Sequence, residues 1–140
     1  MKPFVGRSEK DAISLARQQQ LELIGDALDA SDDGFTIWKS VRAADQSIED
    51  FAVLLMNKTG ADAAGIPQLE AIGKTLKEIA PGEGSSGLQE LFEKALRVGH
   101  SVKEVVPGRS MAGLPVAFEN TVVPFGKDLV FATYRDVTEV

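Results

Sequence analysis

The 140-residue chain has no cysteine and a single histidine, His100. Without cysteine there is no disulfide framework, thiolate metal site, iron–sulfur cluster, cysteine nucleophile or thiol-adduct photochemistry. One histidine leaves no multi-histidine site, so no metal is expected. Long apolar runs are also missing. Nothing approaches the roughly 20 residues that cross a bilayer, and Met1-Lys2-Pro3-Phe4-Val5 lacks a signal-peptide core. The expectation is a cytoplasmic protein with no membrane association. Positive charge is scarce, with 15 basic residues against 21 acidic and a net charge of −6. Nucleic-acid binding draws much of its affinity from phosphate neutralisation, so nucleic acid is not an expected partner.

What is present suits one globular domain. The 44% apolar and 26% charged fractions exclude a disordered tail. A chain of this length buries about two-thirds of its surface without metal or disulfide staples. Ser8-Glu9-Lys10-Asp11 resembles a helix start, and apolar residues recur at Ile13, Ala16, Leu21, Ile24, Ala27 and Leu28 with near-helical period. This predicts an amphipathic flanking helix over residues 1–30, ending near Asp33-Gly34, ahead of a domain over residues 31–140.

Phe35 to Trp38 reads as a short strand, and polar Ser40 to Asp50 as a hairpin loop. Phe51-Ala52-Val53-Leu54-Leu55-Met56 is continuously apolar, which predicts a strand covered on both faces, one of them by the first helix. Asn57 is placed to cap a short helix over Lys58–Ala64, closed by Gly65. Leu69 to Ile79 suggests another helical turn or two. Gly82 to Gly87 reads as a loop, and Ser86-Gly87-Leu88-Gln89 as a capping box opening a helix with apolar Leu88, Leu91, Phe92, Ala95 and Leu96. Gly99 ends it. Ser101–Val106, Pro115–Val123 and Leu129–Val137 are strand-like, and their short links require antiparallel pairing. The order gives an α+β domain with one antiparallel sheet.

These residues, in this order, resemble a PAS domain, a small sensor module of bacterial signalling proteins. Asp33-Gly34-Phe35-Thr36-Ile37-Trp38 resembles the first family strand. Glu49-Asp50-Phe51, Asn57 and Gly65 resemble the second strand and the helix after it. Ile72-Gly73-Lys74-Thr75-Leu76 with Pro81, Val98-Gly99-His100 and Pro124 also fit, and Arg135-Asp136-Val137-Thr138-Glu139 is similar to the family's closing motif. The resemblance implies a PAS fold with a five-stranded antiparallel sheet, order 2-1-5-4-3, with helices over one face. It implies a homodimer contact through the N-terminal helix. It also implies a C-terminal output domain, absent from this chain and reached through Asp136 and Thr138, in a two-component or cyclic-di-GMP type of signalling protein.

Competing chemistries are weak. Gly82-Glu83-Gly84-Ser85-Ser86-Gly87 fits G-x-G-x-x-G but follows no strand, as a dinucleotide site requires. His100 lies after Gly99, beyond the helix in which haem-binding relatives carry their ligand. Haem is therefore not expected, nothing in the residues argues for non-covalent flavin, and no cofactor is expected. Phe35, Ile37, Phe51, Val53, Leu55, Leu91, Phe92, Phe118 and Phe131 are candidates to line a pocket for a small apolar ligand or to fill a core, with Asn120 and Thr133 as polar contacts. The expected function is a sensory or interaction module without catalysis. The alternative is a small cone-shaped enzyme of the ketosteroid-isomerase kind, which needs an acid and a hydrogen-bond donor converging in an apolar pocket.

Overall fold

The computed structural model describes residues 3–80, 83–109 and 113–138. The chain divides into two units, Met1–Ala30 and Ser31–Val140. In the first, helix α1 covers Pro3–Ala30, so it begins upstream of the expected start at Ser8. Its apolar residues Ile13, Leu21 and Ile24 are exposed.

The second unit runs β1 (Gly34–Arg42), β2 (Ile48–Met56), α2 (Lys58–Ala64), α3 (Gln68–Ala71), α4 (Leu76–Ile79), α5 (Glu83–Val98), β3 (Val102–Arg109), β4 (Pro115–Phe125) and β5 (Leu129–Asp136). The strands form one antiparallel sheet in the order β2-β1-β5-β4-β3. The last strand thus lies in the centre, between the first and fourth.

Several local expectations are corrected. The loop expected over Ser40–Asp50 shrinks to residues 43–47, because Ser40, Val41 and Arg42 continue β1 opposite Phe51, Asp50 and Ile48. Ala43 and Ser47 close the turn through a 2.8 Å backbone bond. Polar residues at the end of a strand resemble a turn in sequence. The capping box expected at Ser86 lies inside α5, which begins at Glu83. Of the glycine motif, Gly82 lies outside the described residues, as does Pro81, and the remainder is helical. The segment from Leu69 to Ile79 forms two separate turns, and α4 is held by a capping box between Thr75 and Glu78. Residues 73–74 exchange backbone bonds with Val53, shielding that edge of β2.

Within β2 the register shifts between Ile37 and Trp38: Ile37 pairs with Leu55, Trp38 with Val53. Leu54 is the extra residue of a bulge and is 46% exposed. The two-sided cover expected for the whole apolar run therefore fails at Leu54. Past the bulge, Met56 rather than Leu55 points inward, at 4% exposure.

Helices α2–α5 pack on one face. Paired strand residues share a face, and on this inner face Trp38, Phe51, Val53, Met56, Val122, Val130 and Ala132 join Leu76, Leu91, Phe92 and Ala95 in one core. Phe92 of α5 sits at its centre, with ring centroids 5.6 Å from Trp38 and 5.2 Å from Phe51. Thr36 belongs inside because its hydroxyl accepts from the Trp38 indole at 2.7 Å and donates to the Ala132 carbonyl at 3.2 Å.

Truncating Phe92 to Ala is expected to cost about 3–5 kcal/mol, through lost transfer energy and a cavity beside the Trp38 and Phe51 rings. Leu54→Ala, on the exposed bulge, should stay within about 0.5 kcal/mol of wild type. Urea denaturation of the two variants checks the difference, and equal losses would contradict this assignment of faces.

Candidate functional site

Asn57 stands where β2 gives way to α2. It caps α2 as expected, its Oδ1 accepting from Gly60 N at 3.0 Å. The same oxygen accepts from Phe35 N at 2.9 Å, and Nδ2 donates to Asp33 O at 3.0 Å. Buried at 1% exposure, this one side chain binds the entrance of β1 to the first turn of α2. Gly65 closes α2 in the left-handed conformation, φ 71°.

Tyr134 crosses the same junction from the last strand. It pairs directly with Gly34 of β1. A Cβ at residue 34 would lie 2.2 Å from the Tyr134 ring, so only glycine leaves room for the ring to lie across β1. Phe118 supports the ring edge-on at 5.5 Å. The hydroxyl, carried past β1, donates to Gly60 O in α2 at 3.2 Å. Burial pushes the Tyr134 phenol up to about 12 from its ordinary value of 10.0.

Two residues further along, the chain leaves the sheet. Asp136 Oδ1 accepts from Thr138 N at 2.8 Å, and the Thr138 hydroxyl accepts from Ala117 N at 2.8 Å. Val137 N donates to Ala117 O at 2.9 Å. The Asp136 carboxyl is held below the usual carboxylate range by the Thr138 hydroxyl and then by its backbone N–H. Ala117 of β4 thus holds both of the described residues that follow β5. Glu139, the last residue of the expected closing motif, lies outside the described residues.

The eleven pocket candidates do not share a face. Phe51, Val53, Leu91, Phe92, Phe118 and Asn120 lie on the helix side. Phe35, Ile37, Leu55, Phe131 and Thr133 lie on the other, where Phe35 stacks on Phe131 at 5.6 Å. Alternation forbids these five from reaching a cavity between sheet and helices. Asn120 is buried, and its Nδ2 donates to Phe118 O at 3.2 Å. His100 is exposed after α5, with Nδ1 donating to Ser101 O at 3.0 Å.

Two concavities among the described residues are open grooves. One of about 380 Å³ is lined by Glu90, Leu91, Glu93, Lys94, Arg97 and Glu104. The other, of about 140 Å³, lies among charged residues around Thr133 and Arg135. No group of three or more His, Cys, Asp or Glu side chains among the described residues could hold a metal ion. None of the described helices is long and apolar enough to cross a membrane.

Sequence reasoning missed Gly34, Gly60, Ala117 and the part played by Tyr134. The available signal was that Tyr134 is the only tyrosine and shares a face with Asp136 two residues on.

A five-stranded antiparallel sheet with its final strand in the centre, and four helices inserted between β2 and β3, defines a small α+β module whose last strand is braced by the first inserted helix. The family described as PAS fold matches residues 49–140, and the chain belongs to it. No curated protein matches the sequence. Among solved structures, the PAS domain of an HTR-like protein from Haloarcula marismortui is similar with a TM-score of 0.67 at 14% identity, over 91% of this chain and 99% of that one. The Vibrio cholera VqmA–ligand–DNA complex gives 0.65 at 18% identity, over 84% of this chain and 51% of that one. A Rhodobacter sphaeroides LOV protein gives 0.60 at 18%, over 86% and 68%. At these identities the likeness is one of fold.

Two substitutions test the junction. Tyr134→Phe should cost about 1 kcal/mol at neutral pH for the lost bond to Gly60. A phenol kept neutral in the fold but free to ionise in the unfolded chain favours unfolding as pH rises from 10 towards 12. Wild type should therefore lose about 1–3 kcal/mol more than the variant across that window, as read by urea denaturation at pH 9 and 11. Parallel losses would contradict the burial of this hydroxyl. Asn57→Ala leaves buried amides of Phe35 and Gly60 without their acceptor. A loss of about 2 kcal/mol or more is expected from denaturant midpoints, and a loss under about 0.5 would refute its joining role.

Proposed function

We propose that this chain is a sensory and protein-interaction module of a bacterial signalling protein, with no catalysis of its own. Residues 31–140 serve as the PAS domain and residues 1–30 as a flanking helix that takes part in a homodimer. The state of a bound partner or ligand passes through β5 to a C-terminal output domain, in a cytoplasmic setting. The observation that carries this reading is the Tyr134–Gly60 hydrogen bond. It ties the central, last strand to the helical layer two residues before the Asp136–Thr138 turn through which the chain leaves the sheet.

A signal of this kind is a shift between two arrangements, so the effector must bind them unequally. Trp38, Phe51 and Phe92 fill the space between sheet and α5, which favours a protein partner over a small apolar ligand as the effector. Neither haem nor flavin is part of the proposal. The VqmA structure is described as a complex with ligand and DNA, but a net charge of −6 argues against this chain gripping nucleic acid itself. The isomerase alternative needs Tyr134 and an acid to converge. Here Tyr134 bonds to Gly60 and Asp136 to Thr138.

Asp136→Ala in the full-length signalling protein should abolish regulation of output while far-UV circular dichroism and the thermal midpoint stay near wild type. Unchanged regulation would overturn the proposal. Native mass spectrometry and an absorption spectrum of the purified chain should give a bare dimer mass without a chromophore band. A bound small molecule would make the ligand, not a partner, the effector.

A further inference from the structure

We propose that the outer edge of β3 takes up an extended peptide segment of another protein as an added antiparallel strand. The groove between β3 and α5 selects, in that segment, a basic residue followed two positions on by an acidic one. This surface is separate from α1 and from the route through Tyr134.

The sheet order leaves β2 and β3 at its two edges. An unpaired strand edge is a template for another chain. The edge of β2 is already used: Val53 bonds Gly73 and Lys74 through its carbonyl and amide, and Gln68 Nε2 donates to Met56 O. For β3 the phase follows from β4. Ala117 turns both its N–H and its C=O to the residues after β5, so by alternation Phe118 and Asn120 turn theirs to β3. Their partners Val106 and Glu104 bond back to β4, which leaves the backbone groups of Lys103, Val105 and Pro107 facing out of the sheet. Among the described residues nothing bonds Lys103 or Val105 on that side. Pro107, in the same phase, has no N–H to offer and ends the open stretch.

An antiparallel strand set on this edge exchanges two bonds with Lys103 and two with Val105. Its residue opposite Glu104 points to the helix side, into the groove of about 380 Å³ that Glu104 and α5 line. There Glu90, Glu93 and Glu104 stand against Lys94, which lies 3.3 Å from Glu104. Glu90 and Glu93 have no ion partner among the described residues. Three carboxylates against one ammonium favour a lysine or arginine opposite Glu104. Arg97 lines the same groove next to the end of α5, and favours an acidic side chain opposite Val102. The net charge of −6 steers a basic segment towards the chain.

A second copy's β3 fits this edge poorly. Paired antiparallel about Val105, it sets Pro107 opposite Lys103, whose carbonyl then lacks a donor. Paired about Glu104, it sets that carboxylate directly against its own copy. The charges of the groove therefore call for a partner of different chemistry.

The test uses the full chain, isotopically labelled, and the capped peptide Thr-Val-Thr-Lys-Thr-Glu-Thr, with a second peptide in which Lys and Glu change places. On titration with the first, amide shift changes should centre on Lys103 and Val105, and both amides should gain protection from exchange. Val105→Pro removes an N–H that takes no part in the sheet, so it should keep the native circular dichroism and abolish binding. Glu93→Lys should weaken the first peptide at least tenfold and strengthen the second, and Glu90→Lys repeats this reversal should Glu93→Lys lose its native spectrum. No binding at millimolar peptide overturns the proposal, as do wild-type binding by a folded Val105→Pro and equal affinity for the two peptides. Protection of Lys103 and Val105 that rises with protein concentration in the absence of peptide would put a second copy on the edge and overturn it equally.

Discussion

The close approach of Tyr134 to Gly34 constrains the rest of the domain. Without a side chain at residue 34, the ring crosses β1 and its hydroxyl reaches a backbone carbonyl of α2. A strand in the middle of a sheet normally meets only its two neighbours through backbone bonds. Here the central strand also holds a helix, and Asn57 fixes the same helix to β1. Strand entrance, helix start and last strand are thereby joined by two side chains, both satisfied within the protein. Partial loss of such a network leaves buried polar groups unpaired, so its members move together or not at all.

This arrangement gives the PAS fold a mechanical meaning in this chain. The core between sheet and α5 is aromatic and filled, so its inner packing is a poor place to admit a ligand but a stiff one through which to pass a displacement. The exit of the chain is also fixed, since Ala117 holds both Val137 and Thr138. Gly60 in α2 is hydrogen-bonded to Tyr134, two residues before the Asp136–Thr138 turn, so the signal route proposed above runs through contacts already made in this structure.

Much of this was legible in the sequence, for local reasons. Asn57 before a short helix and Gly65 after it announce their caps by residue type alone, and short links between the last three strands force antiparallel pairing. Sheet order was legible only through the resemblance carried by segments such as Arg135-Asp136-Val137-Thr138, because strand order has no local signature. The phase of the strands was not legible. From Phe51 to Met56 every residue is apolar, so the pattern carries no information about the bulge at Leu54. In β1 and β5 the large aromatics Phe35 and Phe131 suggested an inward face. The interior instead takes Thr36 and Ala132, since Trp38 and Phe92 already occupy that volume. The polar turn at Ser40 to Asp50 misled for the converse reason, because a hairpin rim tolerates charge within regular pairing. Tyr134 went unrecognised because its partner, Gly34, lies 100 residues earlier and offers nothing but the absence of a side chain.

The account stands most directly on the coupling of β5 to α2, which amide hydrogen exchange can read residue by residue. In the Tyr134→Phe variant, the amides of Gly60 and Ala61 in α2 and of Val137 and Thr138 after β5 should lose protection together, while Val53 and Val130 in the core keep theirs. Loss confined to α2, with the exit residues as protected as in wild type, would show that the last strand and the helical layer are independent and would contradict the account.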